Sequence, residues 1–314
     1  MAGFLFSEND IMSKFVFYTD FHLANKRPVN RSDDFASAQI GKLREIYETA
    51  KSNKVDFVLF GGDFFNTHRI YQFDLISAAI DIICGSGLIT YAVQGQHDLI
   101  GHQRDTYKKS TLAFMERYSQ GAFTTLWEPL KVGDFAIYPC HWFDDLETCL
   151  KTELEPGKNT ILLAHKSITM KKHPFPTILT KDMKSNFQLI LSGDIHSGHE
   201  IHTIDGTTFY NPGAITRLKI NDKSRKPAIA LIESGEKIKI KEIQLTVKQD
   251  VWNINPLEEL EGVETTATGD KFFDEIAELE AESVDLMDLL QKFGIQKQIK
   301  PEILDYISSK MARV

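Results

Sequence analysis

The sequence predicts an α/β fold whose central sheet is parallel. Three observations carry this reading. Short apolar runs alternate with stretches of helical periodicity, the runs break off at Asp, His or Gly, and hairpin character begins only after Gly198.

The first strand is expected over 14–19, where Phe15, Val16, Phe17 and Tyr18 run into Asp20. A helix should follow over 33–52, because Phe35, Ala38, Ile40, Leu43, Ile46, Tyr47 and Ala50 fall on one face. Ser32 is the expected cap, with Asp33 and Asp34 suiting the positive end of the helix dipole. The pattern then repeats as strand 55–60, helix 73–84, strand 89–93 and helix 106–118, which implies right-handed crossovers. Helix 106–118 presents Leu112, Phe114, Met115 and Tyr118, either to the sheet or to a partner. Apolar runs at 134–138, 160–164 and 187–191 add buried strands. The turn Asp205-Gly206 joins strands 200–204 and 207–210, and Ser234-Gly235 joins 228–232 to 237–245.

Four segments are expected: an N-terminal extension (1–13), a main domain (14–246), an acidic linker (247–270) and a helical tail (271–314). Helices are predicted in the tail over 271–292 and 301–311, with Pro301 in the first turn of the second. Phe272, Phe273, Ile276, Leu279, Val284, Met287, Leu290 and Phe293 form an apolar face too rich to leave in water.

The chain has 314 residues and a net charge of −8, which argues against coating nucleic acid by bulk charge. It does not exclude an enzyme that handles phosphates through bound cations. Three cysteines without metal-type spacing read as reduced thiols, so a cytoplasmic setting is expected. No apolar run reaches the ~18–20 residues of a membrane span, and no membrane partner is expected.

Strand ends carry the chemistry. The first gives Asp20-Phe21-His22, an i, i+2 pair that points one way from an extended segment. The second gives Gly61-Gly62-Asp63 and the third Gly95-Gln96-His97-Asp98. His165 follows the run 161–164, and Gly193-Asp194-Ile195-His196 supplies another i, i+2 pair. Ligands of α/β sheets bind at the carboxyl ends of strands, so these residues should converge.

In this order the motifs resemble those of the calcineurin-like metallophosphoesterase superfamily, over about 14–217. They are similar in particular to SbcD-type nuclease subunits of the double-strand-break repair complex. Asp33-Asp34-Phe35-Ala36, Val55-Asp56-Phe57 ahead of Gly62-Asp63-Phe64-Phe65, and Asn211-Pro212-Gly213-Ala214 followed by Arg217 carry that finer likeness. The resemblance implies a four-layer α/β/β/α sandwich of two mixed sheets, followed by a short β extension and the helical tail. It implies one ion on Asp20, His22, Asp63 and His196, and a second on Asp63, Gln96, His165 and Asp194. His97 would handle the proton, with Asn66 or Asp98 orienting it.

Gln96 and Asp194 stand where the family usually has Asn and His. Both keep an oxygen donor, and the extra hard ligand moves the expected metal toward Mn²⁺, with Mg²⁺ second. The resemblance also implies DNA as substrate, an SbcC-like ATPase partner docking on the tail, a homodimer through the region of helix 106–118, and a nucleoid-associated cellular or a viral setting. Lys171, Lys172, Trp142 and Arg217 are candidate substrate contacts, and Lys108 and Lys109, also flanking the site, are candidates for the DNA backbone. A stand-alone phosphatase or small-molecule phosphodiesterase, and a scaffold silenced by the Gln96 and Asp194 changes, remain open alternatives.

Overall fold

The computed structural model describes residues 13–70, 72–219, 222–248 and 251–252. The N-terminal extension before Ser13, the linker beyond Trp252 and the helical tail lie outside the described residues.

Among the described residues, eighteen strands and α-helices follow one another: β1 (Lys14–Tyr18), α1 (Phe35–Ser52), β2 (Phe57–Phe60), α2 (Phe73–Ser86), β3 (Thr90–Ala92), α3 (Thr111–Tyr118), β4 (Phe123–Thr125), β5 (Leu130–Val132), β6 (Phe135–Cys140), α4 (Leu146–Leu150), β7 (Asn159–His165), β8 (Ile168–Thr169), β9 (Ile178–Leu179), β10 (Leu189–Gly193), β11 (His199–Ile204), β12 (Thr207–Asn211), β13 (Ala228–Glu233) and β14 (Lys239–Gln244). One sheet runs β14-β13-β1-β2-β3-β4 and a second runs β11-β12-β10-β7-β6-β5. In the first, β1 to β4 are parallel; in the second, β6, β7, β10 and β12 are parallel. The outer strands are antiparallel, so both sheets are mixed.

Period-two alternation divides each central strand between two cores. Phe15 and Phe17 of β1 face the space between the sheets, where they meet Phe57, Leu59, Ile137, Ile161, Leu163 and Leu191. Val16 and Tyr18 face the other way, against Leu43, Ile46 and Tyr47 of α1 and Ile76 and Ile83 of α2. The second sheet does the same: Tyr138, Leu162 and Ile190 pack outward against Leu146, Met183 and Phe187. That outer layer is built from the five-residue α4 and loops, thinner than the helical layer over the first sheet.

Three expectations change in detail. Helix α1 starts at Phe35, and its cap is Asp34, whose carboxylate accepts from Ser37 N at 3.1 Å and Ser37 Oγ at 2.7 Å. Asp33 instead forms a bidentate pair with Arg31 at 2.9 and 2.6 Å. Strands β13 and β14, expected as an extension, complete the first sheet through the β1–β13 ladder. The helix expected over 106–118 is broken: a 3-10 turn occupies Arg104–Lys109, and α3 restarts after Ser110. Leu112 and Met115 are consequently buried, while Phe114 and Tyr118 lie exposed with rings 4.3 Å apart.

The break follows from Ser110, whose hydroxyl accepts from Ala113 N at 3.3 Å. Ser110→Ala should therefore lower stability by about 1 kcal/mol in urea unfolding. Were the helix continuous, the better helix former would leave stability unchanged or raise it.

Candidate metal centre

Parallel strands of both sheets end at one place, and their first turns carry the polar side chains. Beyond β1 and β2 the chains continue side by side: Asp20 N donates to Gly62 O at 3.0 Å and His22 N to Asp63 O at 3.1 Å. Asp20, His22, Asp63 and Asp194 all adopt left-handed backbone, with φ of 49°, 51°, 57° and 79°. A non-glycine residue there costs on the order of 1 kcal/mol or more. The kink swings each side chain off its strand direction into a common hollow. Gly62, at φ 100°, lies against the His165 ring, and Gly95 lies against the Asp63 carboxylate, so neither position has room for a Cβ.

Donor atoms gather in three overlapping clusters: Asp20, His22 and His196; His22, Asp63 and His97; and Asp20, Asp63 and His165. Asp20, Asp63 and His165 are fully buried, whereas the His196 side chain is 41% exposed and opens the hollow on one side. His22 Nε2 lies 3.7 Å from Asp20 Oδ1 and 3.9 Å from Asp63 Oδ2. His196 Nε2 is 3.6 Å from Asp20 Oδ1 and 2.9 Å from His22 Nε2. His165 Nε2 sits 3.4 Å from Asp63 Oδ2 and 3.0 Å from Gln96 Oε1.

Neighbouring groups hold these donors in place. His165 Nδ1 donates to Gly61 O at 2.6 Å, which leaves Nε2 facing the hollow. Thr19 Oγ1 donates to Asp20 Oδ2 at 2.7 Å, and His97 N donates to Asp63 Oδ1 at 2.9 Å. Asn211 Nδ2 donates to Ile195 O at 3.2 Å while its Oδ1 accepts from Gly213 N at 2.8 Å. Ala214 N then donates to His196 O at 3.0 Å, so the Asn211–Ala214 turn clamps the loop that carries His196.

Burial alone would push the Asp20 and Asp63 carboxyls up. The nearby imidazoles of His22, His165 and His196 hold Asp20 below its ordinary value, and His165 and His97 hold Asp63 well below. His165 is pushed down by burial, but Asp63, Asp20 and Asp194 outweigh this and raise it to about 10. Burial and the neighbouring His22 take His196 down to about 4. Burial and Asp63 push Asp98 up to about 7, against the backbone N–H groups that bond it.

The donor set fits divalent cations. Asp63 Oδ2 and His22 Nδ1 are buried without a hydrogen-bond partner. Such an arrangement is costly unless positive charge lies between the groups.

The sequence-predicted ligands Asp20, His22, Asp63, Gln96, His165 and His196 meet here. Gln96 and Asp194 are in none of the three clusters: Gln96 joins through Oε1 on His165 Nε2, and the Asp194 carboxylate accepts from Gln96 and Ser167. Asp98 does not orient His97 among the described contacts. Its carboxylate accepts from the backbone of Asp63 at 2.9 Å, Phe64 at 3.1 Å and Gly95 at 3.0 Å, fastening two loops together. Asn66 is tied by its backbone N–H to Leu23 O, 3.0 Å away. The His97 ring meets that of His22 edge-on, with centroids 5.2 Å apart.

Of the substrate candidates, Trp142 is half-buried with its ring 6.4 Å from that of His165 and Lys166 Nζ over its face. Lys171 and Lys172 are exposed on the β8–β9 connection. Arg217 is buried: its guanidinium donates to Lys223 O and Lys248 O and lies over Trp252, which commits it to the fold. His199 and His202 belong to the β11–β12 hairpin, with His202 stacked on Phe209. Ser167 was missed, although its place two residues after His165 is the same i, i+2 signal that marked His22 and His196.

The chain belongs to the calcineurin-like phosphoesterase family, whose model matches residues 13–198. It is therefore a metal-dependent phosphoester hydrolase of a family that uses a dinuclear metal site. Among solved structures it is similar to a dimetal phosphatase from Danio rerio, with 11% identity over 74% of this chain and 98% of that one, at a TM-score of 0.46. A protein from Thermus thermophilus matches with 12% identity over 73% and 98%, TM-score 0.43. A conserved Streptococcus pneumoniae protein described as a predicted phosphoesterase matches with 13% identity over 78% and 94%, TM-score 0.35.

Because the metal-free His165 keeps its proton up to a pH of about 10, a cation must expel that proton to reach Nε2. Metal affinity should therefore rise with pH below that value, by about tenfold per unit for one proton released. Mn²⁺ calorimetry in buffers of different ionisation enthalpy, between pH ~6 and ~9, measures both the slope and the proton count.

Proposed function

We propose that the chain is a DNA nuclease, the SbcD-like subunit of a complex with an SbcC-like ATPase, hydrolysing phosphodiesters with two divalent cations, preferably Mn²⁺. The observation that carries this reading is the aromatic ring next to His165. The half-buried Trp142 ring lies 6.4 Å from that of His165, with His102 edge-on at 6.3 Å and Lys166, whose Nζ donates to Trp142 O and Asp144 O, over its face. An aromatic plane next to the donor cluster suits a nucleotide chain better than a small phosphomonoester. Asp33-Asp34-Phe35-Ala36 and Asn211-Pro212-Gly213-Ala214 support the same branch, and the latter clamps the His196 loop.

Asp20, His22, Asp63 and His196 would hold one cation, and Asp63, Gln96 and His165 the other, with Asp63 shared. Bound there, the ions supply Lewis acidity, charge compensation for the phosphoryl oxygens and a lowered pKa for water. The protein residues do the rest. Asp98 and Gly95 fix the turn that presents Asp63, and the His97 backbone N–H is anchored on Asp63 Oδ1. The His97 imidazole, held edge-on to His22 at the open side, stabilises charge on the phosphoryl group and delivers a proton to the leaving oxygen. The apolar face of the tail at 271–293 is the proposed docking segment for the ATPase.

His97→Ala should retain both Mn²⁺ ions and lose about 10²- to 10⁴-fold in cleavage of labelled linear and hairpin DNA. Retained turnover would remove His97 from the mechanism. Fast hydrolysis of phosphomonoesters without DNA cleavage, with or without an SbcC-like partner, would replace the nuclease by a phosphatase.

A further inference from the structure

The two ends of a glutamine amide have nearly the same shape and opposite hydrogen-bonding character. Only Oε1 can serve a cation, so something must set which way the group faces. Gln96 Oε1 lies 3.0 Å from His165 Nε2, and Gln96 Nε2 donates to Asp194 Oδ1 at 2.8 Å. An ionised carboxylate only accepts, so it fixes Nε2 on its own side and turns Oε1 toward His165. The second oxygen, Asp194 Oδ2, accepts from Ser167 Oγ. The Asp194 backbone is itself pinned, its N–H shared between Asp20 Oδ1 at 3.2 Å and Oδ2 at 3.0 Å.

With the amide so turned, three groups converge: without a cation His165 Nε2 hydrogen-bonds Gln96 Oε1 at 3.0 Å and lies 3.4 Å from Asp63 Oδ2, and a cation would take the place of that proton. Donors ~2.1 Å from one ion stand about 3.0 Å apart in octahedral and about 3.4 Å apart in tetrahedral geometry, so these separations suit a shared cation. Both Asp194 oxygens, by contrast, are taken up, Oδ1 by Gln96 Nε2 and Oδ2 by Ser167 Oγ. We propose that Asp194 is a positioning residue and not a ligand: together with Ser167 it fixes the Gln96 amide so that Oε1 faces the cation shared with Asp63 and His165. The exchange of the family's usual Asn and His for Gln96 and Asp194 is then a paired change. The longer amide arm needs an acceptor to orient it, and Asp194 is that acceptor.

This inference rests on the two-metal reading of the centre and is independent of the substrate. The test is Mn²⁺ binding to the full chain, by calorimetry for affinity and by paramagnetic resonance for the coupled ion pair. Wild type should bind two ions; fewer would overturn both the two-metal reading and the inference. D194A should weaken one of them about 10- to 100-fold, the range for groups that orient a ligand. D194N should stay within a few-fold of wild type, because Asn can accept from Gln96 and donate to Ser167. Q96E/D194A should recover binding, because a carboxylate offers an acceptor at either end and needs no orientation. Equal weakening by D194N and D194A would make the charge of Asp194 the active element and overturn the proposal. Undiminished binding in D194A, or no recovery in Q96E/D194A, would overturn it as well. Should D194A fail to fold, S167A decides: it should weaken the same ion several-fold, and unchanged affinity refutes the relay.

Discussion

The carboxylates of Asp20 and Asp63 are removed from water at the junction of two sheets, and everything around them answers to that. A buried, ionised carboxylate costs several kcal/mol unless cationic or donor groups surround it. His22, His165 and His196 supply part of this, as do the Thr19 hydroxyl and the backbone N–H groups of His97 and Asp194. A set of imidazoles cannot finish the task, because the closest two would repel if both were charged. The hollow is electrostatically incomplete as protein alone, and divalent cations are what completes it.

Geometry is the second half of that constraint. Parallel strands bring their carboxyl ends to one edge of each sheet, and the facing sheets bring those edges together. Strand direction alone would still aim the side chains past one another. The left-handed residues Asp20, His22, Asp63 and Asp194 make the correction. Their strain persists because the surroundings over-determine it: Asp98 fastens the Asp63 and Gly95 turns, and the Asn211–Ala214 turn fastens the His196 loop. Local backbone cost is thus placed where the chemistry needs it.

Much of this was legible in the sequence. The unbroken apolar run Phe15-Val16-Phe17-Tyr18 announced a strand, and the i, i+2 pairs announced the donors, because both are properties of a few consecutive residues. What was missed is set by contacts between distant segments. Strands β4 and β5 are three residues long, too short to show a period. The break at Ser110 hid inside a run that reads as helical, and Arg217 looked like a substrate contact until its carbonyl partners on two other segments were seen. The orientation of Gln96 depends on Asp194, and no local pattern could reveal it.

The β1–β13 ladder sets Lys14 opposite Glu233 and Phe17 opposite Ala230. During synthesis β1 therefore waits for its second neighbour. At ~5–20 residues per second, roughly ten to forty seconds separate the emergence of the two strands. Throughout that interval the Phe15 and Phe17 edge of β1 is an unpaired template for any passing strand. His196 lies 174 residues beyond His22, so shorter ribosome-bound fragments carry Asp20 and Asp63 without a finished cradle around them.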